Sequence, residues 1–251
     1  MMPDSGIDSA AHRPAPYTGP ASPTGAVLAG VGIGHRFGAR VLFRKLDFEL
    51  RGGSATAVTG PNGSGKSTLL KIMAGLLTPT AGRVSLVSRG LAVEPGQRPL
   101  HCGFVAPYLN VYDGFTAREN LEFIARARGM DKAGARGMDQ PATGSAAGES
   151  TVSERIDRLL WDVGLTERAD DPVRTFSSGM VQRVRLACAL LPSPHVLLLD
   201  EPGATLDETG VALVHRVVRE ATDAGRIVVL ATNLASEAAL CSDRLEVTAQ
   251  R

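Results

Sequence analysis

Gly60-Pro61-Asn62-Gly63-Ser64-Gly65-Lys66-Ser67-Thr68 is the stretch that decides how this chain is read. It fits the pattern G-x-x-x-x-G-K-[ST] and follows a short apolar run, Ala55-Thr56-Ala57-Val58. Strand, glycine-rich turn and helix therefore succeed one another in the order the pattern requires. The glycines let the backbone curl until consecutive N–H groups point inward beside the positive end of the next helix, where phosphate oxygens are held. Lys66 adds a full positive charge for the β- and γ-phosphates, and the Ser67 hydroxyl is placed to ligate a Mg2+ ion bridging them. The loop implies binding of a nucleoside triphosphate, but by itself it does not separate kinases, GTPases and transport ATPases.

Working outward, 251 residues with 43% hydrophobic side chains suffice for one full α/β domain with a subdomain. A formal net charge of +1 with scattered basic residues gives no electrostatic footprint for nucleic acid. Cys102, Cys188 and Cys241 are odd in number and lack C-x-x-C spacing, which points to a reducing cytosol rather than a disulfide framework or zinc site. No run reaches the ~18 apolar residues of a membrane-spanning helix, and the N-terminus lacks the order of a secretory signal. Work at a membrane would require docking onto another chain.

Residues 1–24 are rich in Pro, Ala, Ser, Gly and Thr, so burial cannot offset the entropy of ordering them, and a disordered tail is expected. Residues 27–33 and 41–43 read as strands of an antiparallel edge sheet, and Leu46, Phe48 and Leu50 alternate with Asp47 and Glu49 as in a strand with one wet face. A helix over 66–77, ended by Pro79, and a strand over 84–87 follow. Residues 107–175 read as a helical subdomain. Within it, Leu121, Phe123, Ile124 and Ala127 form one amphipathic face and Ile156, Leu159, Leu160 and Val163 another. Residues 131–153 have no periodicity and predict a flexible insertion. Trp161 is expected to pack in or beside this core.

The last third returns to alternation: a helix over 180–191, an apolar strand over 196–199, a helix over 209–224 and an apolar strand over 227–231. Continuously apolar strands suit a parallel sheet covered on both faces. The expected fold class is α/β: a P-loop NTPase core, mainly parallel sheet with flanking helices, an antiparallel β edge and an inserted helical subdomain. Its core is expected over 25–106 and 176–251. Strand 196–199 ends in Asp200 and Glu201. Asp200 would hold Mg2+ and Glu201 would polarise the water that attacks the γ-phosphate.

Together GPNGSGKST, TFSSGMVQRVRLACAL and VLLLDEPGATLD resemble the ATP-binding cassette ATPases over roughly residues 26–247. The resemblance implies that the signature loop of one subunit closes over ATP held by the glycine loop of another. Ser177, Ser178 and Gly179, at a helix N-terminus, would then contact the γ-phosphate across the interface of a homodimer. It also implies an interfacial role for Asp207, whose other reading is a helix N-cap. Phe37 sits where the family stacks an aromatic ring on adenine, with Phe43 as the rival ring. His35 and His195 read as ordinary strand-end or loop histidines. ATP and Mg2+ are the implied cofactors, a separate membrane-spanning permease the implied partner, and the cytoplasmic face of the cell membrane the implied location. The Ser-Ser-Gly-Met signature resembles those of exporters.

Two departures stand out. Ala106-Pro107-Tyr108 occupies the place where the family carries a glutamine, and no glutamine occurs between Gln97 and Gln140. Thr232-Asn233 stands where the family has a histidine facing the γ-phosphate, and Asn233 cannot carry charge or exchange a proton. These departures motivate a second expectation, a nucleotide-gated binding or regulatory subunit with little turnover. A third class, a nucleic-acid-associated ATPase, is disfavoured by the near-neutral charge.

Overall fold

The computed structural model describes residues 25–109, 111–130 and 151–248. The expected tail over 1–24 and most of the expected insertion over 131–153 lie outside the described residues. Strands β1 (Val27–Phe37), β2 (Arg40–Arg51), β4 (Ala81–Ser88) and β5 (Leu91–Val93) form an antiparallel sheet in the order β2-β1-β4-β5. Strands β3 (Ala55–Thr59), β6 (Cys102–Val105), β7 (Val196–Asp200), β8 (Ile227–Ala231) and β9 (Asp243–Glu246) form a parallel sheet in the order β6-β7-β8-β3-β9. The helices are α1 (Lys66–Ala74), α2 (Ala117–Ala127), α3 (Val152–Asp162), α4 (Ser178–Leu190), α5 (Glu208–Asp223) and the short α6 (Ala235–Ala238). This is the P-loop NTPase fold class expected from the sequence.

Every residue of β7 and β8 is buried, and side-chain alternation sends neighbours to opposite faces. Leu197, Leu199, Val228 and Leu230 join one hydrophobic core with residues of α2, α3, α4 and α5. Val196, Leu198, Ile227 and Val229 join a second with α1 and the antiparallel sheet. The parallel sheet is thus the middle of three layers, which is why its central strands carry no polar face. Each fully buried aliphatic side chain there contributes about 1.5–3 kcal/mol.

Several boundaries differ from expectation for local reasons. Helix α1 stops at Ala74 instead of running to residue 77, because Gly75 adopts φ 79 and its N–H, with that of Leu76, turns back to Ile72 and Lys71 carbonyls. The apolar pieces around residues 41–50 form one strand, β2, with Lys45 at φ 52 marking its irregularity. Helix α2 begins at Ala117, ahead of the apolar face read from the sequence, closed by a Thr116/Glu119 capping box. Ala117, Leu121 and Ala125 are buried with Asn120, while Phe123 and Ala127 are exposed. Trp161 lies on the outer side of α3, 38% exposed, with the Arg158 guanidinium 5.7 Å from its ring centre. Strand β9 was not expected, since its four residues are mostly exposed and hold one alternating apolar side chain, Leu245.

The cysteines are free, and burial pushes Cys102 up to about 12 from its ordinary value of 9.0. Its thiol in the folded chain is therefore expected to alkylate at pH 8 on the order of 10³-fold more slowly than in the unfolded chain. The unfolded thiol ionises first as pH rises from about 9, so this residue's contribution to stability falls over that window. Iodoacetamide labelling followed by peptide mass spectrometry reads the rate directly, and equal labelling of native and unfolded chain would contradict the burial.

Candidate nucleotide-binding site

Parallel pairing sets the site. Val58 of β3 and Asp200 of β7 both register with Ala231 of β8, so the segments leaving these three strands emerge side by side at the carboxyl edge of the sheet. Ligands of open α/β sheets bind at such an edge. The loop over residues 60–68 leaves β3 there, Glu201 leaves β7, and Thr232 and Asn233 leave β8. The Asn233 amide donates to Asn62 Oδ1 at 2.8 Å, joining the last segment to the glycine loop.

Gly60, Gly63 and Gly65 have φ of 148°, 76° and 107°. Lys66 is 6% exposed, and its Nζ donates to the carbonyls of Gly60 at 2.8 Å and Pro61 at 3.4 Å, which satisfies the buried ammonium. Ser64 is fully buried, with Oγ lacking a hydrogen-bond partner. Ser67 and Thr68 are half-buried in the first turn of α1. Arg40, at the start of β2, reaches over to donate to the Gly63 carbonyl at 3.1 Å. Nothing in the sequence around Arg40 signals that contact, because it depends on how the antiparallel sheet folds back over the loop.

Asp200 is 2% exposed. Burial holds its carboxyl above the usual carboxylate range, and the Glu201 charge adds to that. The Ser67 and Tyr108 hydroxyls and the Lys71 charge pull the other way. The Asp200 Oδ2 is buried without a hydrogen-bond partner. Glu201 is half-buried at φ 48, a strained value for a residue with a side chain, and its N–H donates to the Ala231 carbonyl at 2.8 Å.

The signature residues sit at the start of α4. Ser177 caps the helix, its Oγ accepting from Met180 N–H at 3.3 Å, and both Ser177 and Ser178 are exposed. Gly179 faces the segment between β7 and α5, where a Cβ would lie 3.5 Å from the Thr205 carbonyl. Asp207 is the N-cap of α5, accepting from Gly210 N–H at 2.8 Å. That bond, with one from the Thr209 hydroxyl, holds its carboxyl below the usual range. Phe37 is 56% exposed, whereas Phe43 is 3% exposed and packs behind Gly65. Of the two rings, only Phe37 presents a face to solvent. His195 is buried, hydrogen-bonded to Ser88 Oγ and His101 Nδ1 at 3.0 Å each, and burial lowers the pKa of His35.

A model of the ABC transporter family matches residues 43–204, including the glycine loop, the signature segment and the strand ending in Asp200 and Glu201. The chain belongs to the ABC transporter ATP-binding family. The fold and the family are those of an ATPase domain. A Nod factor export ATP-binding protein I of Ralstonia nicotianae is 30% identical over 90% of this chain and 65% of its own length. A cytochrome c biogenesis ATP-binding export protein of Pseudomonas syringae is 34% identical over 77% of this chain and 82% of its own. The chain thus spans about 65% of the length of the Nod factor export relative. Among solved structures, the ATP-binding subunit of an ABC transporter superposes with a TM-score of 0.73 at 23% identity, covering 90% of this chain and 88% of that one. A dimeric ATP-binding cassette bound to ADP and Pi gives 0.71 at 22% identity, covering 89% and 97%.

Within this cassette the two departures have definite positions. Gln97 lies exposed in a 3-10 segment, Pro95–His101, before the amino end of β6. Four strand residues at roughly 3.3 Å each separate that end from the site edge, so Gln97 does not approach it. At the site edge the chain instead makes a turn over residues 106–109, closed by Leu109 N–H to the Ala106 carbonyl at 3.1 Å, with Pro107 second and Tyr108 third. The sequence flagged the missing glutamine without showing the turn that stands in its place.

A second surface adjoins that turn. A cavity of about 360 Å3 is lined by Leu76, Leu100, Phe104, Leu109, Phe123 and Arg185 among others. Tyr112, Phe115 and Phe123 cluster beside it with ring centres 4.8–6.4 Å apart, each at least 39% exposed. No helix among the described residues is long and apolar enough to cross a membrane.

Proposed function

We propose that this chain is the ATP-binding and ATP-hydrolysing subunit of a membrane exporter, acting as a pair of copies at the cytoplasmic face. The observation that carries the reading is the meeting of residues 60–68, Asp200, Glu201 and Asn233 at one sheet edge. In this reading the loop N–H groups from Gly60 to Thr68 and the Lys66 ammonium take the phosphates, and Phe37 takes the adenine face. Ser177, Ser178 and Gly179 of the second copy cover the γ-phosphate, and Asp207 lies at the same interface. The exposure of Ser177, Ser178 and Asp207 leaves them open to such a partner. The buried, unpartnered Asp200 Oδ2 beside the Ser67 hydroxyl is the hard-oxygen donor set that suits Mg2+. Among the described residues no group of three or more His, Cys, Asp or Glu forms a metal cage, so the ion would enter with the nucleotide. When bound it would neutralise phosphate charge. Glu201 polarises the attacking water, and Asn233 donates a neutral hydrogen bond from its amide where the family places a histidine.

The exposed aromatic cluster and its cavity supply the docking place for a separate permease, since apolar surface rimmed by polar groups marks an interaction site. Relatives whose names state export support that direction. The two departures favour one alternative, a nucleotide-gated regulatory subunit with little turnover. Single-turnover phosphate release from the purified subunit separates them: one phosphate per bound ATP is expected, and bound ATP without phosphate would select the alternative. For the docking surface, Phe123→Asp is expected to abolish co-purification with the membrane chain while leaving nucleotide affinity unchanged. Assembly that survives this change would place the contact elsewhere.

A further inference from the structure

We propose that Arg40 is a positioning residue that ties the open face of Phe37 to the glycine loop, so that the base and the phosphates of one nucleotide meet two sites held at a fixed separation. The inference rests on the ATP reading above. Phe37 and Arg40 face each other across the β1–β2 hairpin, flanking the two-residue turn Gly38-Ala39. The Arg36 guanidinium closes that turn on the Gly38 carbonyl at 2.8 Å. The buried His35 ring meets Phe37 edge-on at 4.7 Å, which orients the ring while leaving it largely exposed. A register shift between His35 and Arg36 bends the strand just before the tip, so the ladder alone leaves the tip's direction open.

The bond from Arg40 Nη2 to the Gly63 carbonyl, at 3.1 Å, sets that direction. Strand β2 then runs on along the loop: a Cβ at Gly65 would lie 3.0 Å from the Phe43 ring and 3.3 Å from Leu42 Cβ. The peptide unit joining Gly63 to Ser64 is pinned at both ends, since the Ser64 N–H donates to the Pro61 carbonyl at 3.1 Å. Lys66 also holds loop carbonyls, those of Gly60 and Pro61, but in the ATP reading its ammonium turns to the phosphates and releases them. The Arg40 bond makes no such exchange. It therefore keeps the loop and the hairpin tip together as nucleotide enters. Two parts of one ligand add their affinities only when their sites stand at the ligand's own span.

The test titrates the full chain by calorimetry, in the presence of Mg2+, with two probes: a non-hydrolysable ATP analogue and inorganic tripolyphosphate, which carries the phosphates without the base. Arg40→Met keeps the aliphatic stem and removes the donor at an exposed position, so the unfolding midpoint is expected to hold. The variant is expected to bind the ATP analogue about tenfold more weakly and tripolyphosphate as wild type does. Arg40→Lys, which can donate to Gly63 from a stem of similar length, is expected to recover part of the loss. In a Phe37→Ala background, Arg40→Met is expected to weaken the ATP analogue no further, because the base contact it positions is already gone. Equal weakening of both probes would overturn the inference, since Arg40 would then act on the loop alone, and so would no change in either. A wild-type chain that bound tripolyphosphate as tightly as the ATP analogue would overturn the adenine role of Phe37 and the inference with it.

Discussion

Glu201→Gln is expected to leave ATP bound while steady-state hydrolysis falls about 10²–10⁴-fold, the usual cost of losing a positioned general base. The substitution changes no volume. The strained φ of 48 at residue 201 and the N–H bond to the Ala231 carbonyl belong to the backbone, so the amide would occupy the same place. What disappears is the capacity to accept a proton from the attacking water. Removing this charge also relieves repulsion on Asp200, whose carboxyl the Glu201 charge helps to hold above its ordinary range. Metal-dependent ATP binding is therefore expected to hold or tighten. Phosphate release measured beside equilibrium nucleotide binding separates the two effects. Turnover equal to wild type would take Glu201 out of the chemistry.

Gly60→Ala is expected to destabilise the fold by roughly 3 kcal/mol and to weaken ATP binding by about tenfold or more. Residue 60 has φ 148, a region that side chains avoid, and an added Cβ would lie 2.2 Å from the Val247 carbonyl oxygen and 2.9 Å from Ser64 Oγ. The neighbour cannot yield easily, because Val247 N–H is bonded to the Thr59 carbonyl at 2.8 Å and the segment is fixed to the sheet. The loop must shift instead, and its N–H groups with it. Gly96→Ala is the matched control: nothing lies within 4 Å of a Cβ there and the backbone is unstrained, so it is expected to be near neutral. Chemical unfolding and nucleotide titration of both variants check the contrast, and equal behaviour would mean the loop accommodates a side chain.

Much of this architecture was legible before any coordinates. Strand β8 runs over the five apolar residues read from the sequence, and β7 extends the expected strand by one residue, to Asp200. Burial on both faces leaves such strands only one composition. Boundaries governed by a single local choice were less legible. Gly75 ends α1 before Pro79 can, and α2, capped by Thr116, buries Asn120 while Phe123 is exposed. Phe123 illustrates the cause: a helical stripe predicts which residues share a face, but how the helix packs on its neighbours decides which edge of that stripe meets the core.

The sequence by itself determined the three-layer class, the phosphate-cradling loop and the pair of acids after β7, because each rests on residue types at short, fixed spacing. Only the tertiary structure decided what stands beside them. Arg40 over Gly63, Asn233 on Asn62 and Arg185 on Leu109 join residues 23 to 171 positions apart. The physical reason is that a hydrogen bond is felt across about 3 Å of space whatever the separation along the chain. Such neighbours exist only once the sheet order and its loops have been laid down.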